Sequence, residues 1–105
     1  MVGRKVTNKA SKTARGFLTD ALETIEDRGF IYGDPAINHL RIAQLWSVYF
    51  ERSVEPHDVA MAMALVKVAR LIESKHHQDS VLDACAYLSL FGELAGKDWS
   101  DLDTY

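Results

Sequence analysis

Cysteine occurs once in this chain, at Cys85, so no disulfide can form within it. That excludes the disulfide framework of small secreted domains and points to a reducing cytoplasm. No apolar run approaches the roughly 20 residues of a membrane span. The first residues are polar and basic without an apolar stretch, so no secretory leader is read there. There is no phosphate-binding Gly-rich loop, no nucleophile elbow and no Cys or His set at zinc spacing. His76-His77 reads as a polar turn, and His39 and His57 stand isolated. Internal repeats and low-complexity tracts are absent as well.

What remains is the composition of one small globular domain. The chain has 105 residues, of which 48% are hydrophobic, enough to exclude wholesale disorder and to build one modest core. The net charge is −3, unevenly placed. Residues 1–16 carry Arg4, Lys5, Lys9, Lys12 and Arg15 without an acid, and residues 98–105 carry Asp98, Asp101 and Asp103 without a base. The basic arm reads as a solvated terminus rather than a nucleic-acid contact. We therefore divide the chain into a basic arm (1–16), one domain (17–96) and an acidic tail (97–105), with Trp99 and Tyr105 pinning the tail.

Hydrophobic spacing predicts four helices and no strand. The first runs from about Phe17 to Arg28, with Thr13 or Ser11 able to cap an earlier start and Gly29 as its stop. Phe30-Ile31-Tyr32-Gly33 follows as a connector. Asp34-Pro35 reads as N-cap and first residue of helix two, because proline lacks an amide that would be orphaned there anyway. That helix extends to about Glu51 and carries Leu45, Trp46, Val48, Tyr49 and Phe50, more apolar surface than one core contact needs. Part of Trp46–Phe50 is expected at a subunit interface. Ser53-Val54-Glu55-Pro56 breaks it. Helix three spans Pro56–Glu73, and helix four runs from Asp79 to Leu94 with Gly96 beyond. Cys85, set among Ala84, Ala86 and Leu88, reads as core.

Helix three carries the sharpest anomaly. PHDVAMAMALVKVARLIE is apolar on every side, which predicts burial all round, yet Lys67 and Arg70 sit in it. Lys67 shares a stripe with Ala60, Ala64 and Leu71. Buried cations are costly unless they meet anions. Asp83, between Leu82 and Ala84 on helix four, is the best partner, whereas Asp79 is explained by its place at a helix start. The segment Arg28–Asp34 adds a guanidinium, a phenol and a helix N-terminus, a set suited to phosphate and base. Asn38 follows one turn later, and Tyr87 flanks Asp83 on helix four.

The ordered set Arg28-Gly-x-x-Tyr32-Gly33-Asp34, Asn38, Leu45-Trp46, Asp58-Val59-Ala60, Met63, Leu65-x-Lys67-x-x-Arg70 and Asp79-Ser80-x-x-Asp83-x-x-x-Tyr87 resembles a small uncharacterised domain of phages and prophages. The likeness covers about residues 20–92. More distantly, the four-helix plan is similar to the MazG-like all-α nucleoside triphosphate pyrophosphohydrolases. In those enzymes Glu-x-x-Glu on one helix and Glu-x-x-Asp on the next hold magnesium against the substrate phosphates. Here the corresponding spacings read Lys67-x-x-Arg70 and Ser80-x-x-Asp83, so three of the four acids are replaced and two cations are gained.

The expectation from sequence is an all-α, four-helix, bundle-like and MazG-like domain that forms a homo-oligomer in the cytoplasm, the host's if phage-encoded. It binds a nucleotide or cyclic nucleotide without hydrolysis, and without cofactor, membrane or nucleic acid. Arg28, Tyr32, Asn38, Trp46, Lys67, Arg70, Asp83 and Tyr87 are the candidate ligand-binding residues. As a phage protein it can sequester a host signalling nucleotide, an anti-defence role. The first alternative is a magnesium-dependent pyrophosphohydrolase with the metal on Asp79 and Asp83 and on Glu26 or Glu23. The second is a non-catalytic structural or adaptor protein.

Overall fold

The computed structural model describes residues 12–102. Most of the basic arm and the end of the acidic tail, Tyr105 included, lie outside that range. Four helices follow in order: α1 (Ala14–Tyr32), α2 (Pro35–Phe50), α3 (Pro56–Glu73) and α4 (Gln78–Ala95), with a short 3₁₀ turn at Trp99–Leu102. No strand occurs among the described residues.

The helix boundaries follow local chemistry. Thr13 caps α1, its hydroxyl accepting from Gly16 N at 3.1 Å. Asp34 caps α2 ahead of Pro35, its carboxylate accepting from Ala36 N at 2.9 Å. Glu55 precedes Pro56 at the start of α3, where Asp58 Oδ2 accepts from Glu55 N at 2.9 Å. The α2–α3 turn is held by Ser47, whose hydroxyl donates to Ala43 O at 2.8 Å and accepts from Val54 N at 2.9 Å. At the head of α4 the His77 ring meets the fully buried Ser80 hydroxyl at 2.7 Å, a local use of the polar turn.

Two expectations need correction. The first helix does not stop at Gly29: it runs on through Phe30 and Ile31 to Tyr32, so the expected connector is helical. A glycine inside a helix costs only about 1 kcal/mol, less than abandoning a further turn of hydrogen bonds. The stop is Gly33, at φ +88°, with its amide donating to Gly29 O at 3.0 Å. A side chain is strained at that φ, so glycine is required here.

Helix three is not buried all round either. Val59, Ala60 and Ala64 are inside, while Leu65, Val66, Val68 and Ile72 are exposed. α4 contributes at least as many buried residues, namely Ser80, Asp83, Ala84, Ala86 and Leu94. α4 packs chiefly on α3 and next on α1, and α2 packs on α3. Most of the buried apolar residues are alanines, which lets helix axes approach closely; Leu94 and Val59 are the large ones. Ala36, Ala60 and Leu94 form one cluster, covered by Leu90, Phe91 and Trp99, so Trp99 does fasten the chain after α4 to the body. Cys85 is half-buried.

Candidate functional site

Three helices leave a wedge between them at the α1–α2 turn. α1 supplies Thr24, Ile25, Arg28 and Tyr32, the turn supplies Gly33, α2 supplies Pro35, Asn38 and His39, and α4 supplies Asp83, Ala86, Tyr87 and Leu90. The pocket measures about 140 Å³. The α4 residues follow helical spacing of three and four, so one stripe of that helix forms a continuous wall. Ile25, Pro35, Ala86 and Leu90 make apolar surface. Tyr32 is largely exposed and stands at the rim.

The polar part of the wall is organised around Asp83. Its side chain is 8% exposed, and Oδ2 lies 3.2 Å from Lys67 Nζ, itself 12% exposed. On the other oxygen, Arg28 Nη2 lies 3.9 Å from Oδ1, with the Arg28 side chain half exposed. The expected pair between Asp83 and a helix-three cation is therefore present, with Lys67 as the partner. One carboxylate faces two cations, so the cluster carries one net positive charge. Its members differ: Lys67 is locked behind Asp83, whereas Arg28 reaches from the surface and keeps free donors on its fork.

Of the eight residues singled out in the sequence, Arg28, Tyr32, Asn38, Asp83 and Tyr87 line this pocket, and Lys67 supports it from behind through Asp83. Arg70 is exposed on α3 and lies outside the pocket lining. Trp46 is half-buried on α2, its ring 6.3 Å edge-on from Phe50, and does not line the pocket. Asp79 is exposed at the head of α4. Among the described residues no three His, Cys, Asp or Glu side chains come together as a possible metal site, so Asp79, Asp83 and Glu23 or Glu26 do not meet in one cluster.

Sequence reasoning missed His39. It is 5% exposed, lines the pocket, and its ring centroid lies 6.3 Å from that of Tyr87. Its Nδ1 lies 2.8 Å from Pro35 O, and its Nε2 is buried without a hydrogen-bond partner. The signal was in the spacing: Ala36, His39 and Ala43 form the inward stripe of α2, and a histidine between two alanines on a packed face marks a polar group taken inside.

Fold and site together define a class: an all-α helical domain with a small, mostly apolar pocket backed by a buried ion pair. Residues 16–95 match the family described as a domain of unknown function, DUF6378, and the chain belongs to that family. It is similar to the Gene 55 protein of Mycobacterium phage L5, 45% identical over 80 residues covering 73% of this chain and 51% of that protein. It is also similar to the Gene 55 protein of Mycobacterium phage D29, 39% identical over 61 residues covering 58% of this chain and 40% of that protein. The chain thus spans about half the length of the curated relatives it matches. No solved structure matches it. The resemblance to an uncharacterised phage domain holds. No helix among the described residues is long and apolar enough to cross a membrane.

Proposed function

We propose that this domain binds a phosphorylated nucleoside without hydrolysing it, with the base in the α1–α2–α4 pocket and the phosphate on Arg28. The observation that carries this reading is the pocket's division of labour. A cavity of about 150 Å³ takes one benzene ring, and whole-ligand sites usually start near 300 Å³. At about 140 Å³, this pocket suits one flat ring and leaves the rest of a ligand at its mouth. Ile25, Ala86 and Leu90 fit the faces of such a ring, and Tyr32 at the rim can stack on it. Arg28, half exposed beside the opening, can grip an anion with donors not used on Asp83. Lys67 then has a different role from the one expected: it holds Asp83 in place instead of meeting phosphate.

The reading as a MazG-like fold stripped of its metal acids belongs to this proposal. The four-helix plan and the Lys67–Asp83 pair support it. Sequestration of a host signalling nucleotide, the anti-defence role, follows from phage relatives and binding without turnover, and rests on analogy.

The same proposal includes self-association. Leu65, Val68 and Ile72 form an exposed stripe on α3, and Leu45, Val48 and Tyr49 another on α2. A buried leucine contributes about 1.5–3 kcal/mol, an alanine far less. A core built mainly of alanine leaves the larger apolar gain outside, where a second copy of the chain can collect it.

Calorimetry with nucleoside mono-, di- and triphosphates and cyclic dinucleotides, with magnesium and with a chelator, tests the reading. Binding should survive the chelator, weaken with salt, and fall on Arg28→Ala. Magnesium-dependent release of pyrophosphate would establish the hydrolase instead. A lack of binding to every nucleotide would favour an adaptor role.

A further inference from the structure

The sequence of α3 and its surroundings disagree. PHDVAMAMALVKVARLIE is apolar on every side, the pattern of a helix covered all round. The chain itself covers only one side. Val59, Ala60 and Ala64 are inside, and Lys67 turns inward to Asp83. The other side carries Ala62, Leu65, Ala69 and Ile72, flanked by the exposed Val66 and Val68. Leu65 is 57% exposed and Ile72 85%. Lys67 and Arg70 are the only charges between Ala62 and Ile72, and at 100° per residue both fall outside this face.

The open face has an order of its own. Ala62, Leu65, Ala69 and Ile72 are spaced by three, four and three, the repeat of a coiled-coil seam, and small alternates with large along it. Two such seams laid parallel set leucine on leucine and alanine on alanine. They also set Asp58 against Asp58 and Lys75 against Lys75. Laid antiparallel, about a twofold axis level with position 67, Leu65 meets Ala69 and Ile72 meets Ala62, so each large side chain faces a small one. The same register carries Asp58, whose side chain is 53% exposed in the first turn of α3, to the exposed turn after α3 that holds Lys75. Opposite charges then face each other at both ends, which fixes direction and register. Such a contact is isologous and closes at two copies.

We propose that α3 pairs antiparallel with α3 of a second copy, with Leu65 packing on Ala69 and Ile72 on Ala62. This rests on the reading that the chain self-associates and adds the face, the direction and the register of the contact. α3 is then covered on both sides, as its sequence asks. No α3 residue lines the pocket, so each copy keeps its own.

Light scattering of the full chain tests the association, and cysteine cross-linking tests the seam. Ala69→Glu sets a carboxylate into the seam from each copy. It should keep its helicity by circular dichroism and weaken association about a hundredfold or more. For the cross-link, Leu65→Cys and Ala69→Cys are made separately in a Cys85→Ser background. In the antiparallel register position 65 of one copy is level with 69 of the other. Positions 65 and 65, or 69 and 69, are offset by about 6 Å along the axis. Across helices about 8 Å apart, that offset is too long for a disulfide. Mild oxidation of the mixed variants should therefore give a disulfide-linked pair with one copy of each, and oxidation of either variant alone should give little. Cross-linking of each variant to itself, no cross-link in the mixture, or an assembly that survives Ala69→Glu would overturn the α3 seam and leave self-association standing. A wild-type chain that is monomeric at high micromolar concentration would overturn both.

Discussion

The inside and the outside of this bundle are built from opposite materials. Inside, Ala21, Ala36, Ala43, Ala60, Ala64, Ala84 and Ala86 are buried together with one ion pair. Outside, Leu45, Tyr49, Leu65 and Ile72 are more than half exposed. Small residues let the helices approach closely but bury little apolar area each, while Lys67 and Asp83 must be held together where water is scarce. The inside is thus specified by fit and charge. Many of the large apolar groups are on the surface, and the proposed association would cover them.

The strongest way to break the inner half of that contrast is to remove one member of the pair. Asp83→Ala leaves Lys67 buried without its counterion, and Lys67→Ala leaves the buried Asp83 with only its longer contact to the half-exposed Arg28. Each should cost about 3–5 kcal/mol in denaturant unfolding. Arg28→Ala removes the longer, half-exposed contact to the same carboxylate and should cost only ~0–1 kcal/mol. Equal losses for Arg28 and Lys67 would mean that burial does not separate the two cations.

Next in size is the α2–α3 turn. Ser47→Ala leaves Val54 N without its acceptor and should cost about 1–3 kcal/mol. The outer half is tested by charge. Leu45→Glu with Tyr49→Glu should leave helicity by circular dichroism intact in a dilute sample while shifting light-scattering mass toward the monomer. A wild-type chain that is monomeric at high micromolar concentration would refute the association.

Glycine sharpens the comparison at smaller scale. A Cβ at Gly29 meets nothing within 4 Å, so Gly29→Ala should stabilise by about 0.5–1 kcal/mol. Gly33→Ala should destabilise by roughly 1–2 kcal/mol, because its φ of +88° suits only glycine. Thermal melts of the two variants should move in opposite directions.

Those two glycines also show where sequence reading ended. Helices two to four were legible because Asp34-Pro35, Glu55-Pro56 and Gly96 punctuate them with chemistry that admits one interpretation. Gly29 and Gly33 offer the same signal four residues apart, and only the observed φ separates a tolerated glycine from a required one. The pairing of Lys67 with Asp83 was legible because a cation among alanines demands an anion. Which cation it would be was not, since Lys67 and Arg70 stand only about 60° apart around the helix and the packing of α4 decides between them. The apolar character of α3 gave no hint that one side stays open, because periodicity reports apolar faces and not what covers them. His39 was passed over for lack of neighbours in sequence, although its site neighbours Asp83 and Tyr87 come from α4.

The smallest expected effect is at the exposed end. Ser100 donates to Asp98 Oδ1 through its amide at 3.0 Å and its hydroxyl at 2.8 Å, which holds the Asp98 carboxyl below its usual 3.8. The folded value is depressed, so the small stabilisation is full above the unfolded value and is lost as pH falls through the folded one. An NMR titration of Asp98 should show the depression, and Ser100→Ala should reduce it by removing the hydroxyl donor.

Native mass spectrometry after incubation with a pool of nucleoside mono-, di- and triphosphates and cyclic dinucleotides, in the presence of chelator, tests inside and outside at once. It reads subunit number and bound mass in one spectrum. The account predicts an assembly of two or more chains that retains an intact phosphorylated nucleoside and loses it in Arg28→Ala. A bare monomer that gains no mass from the pool would contradict it.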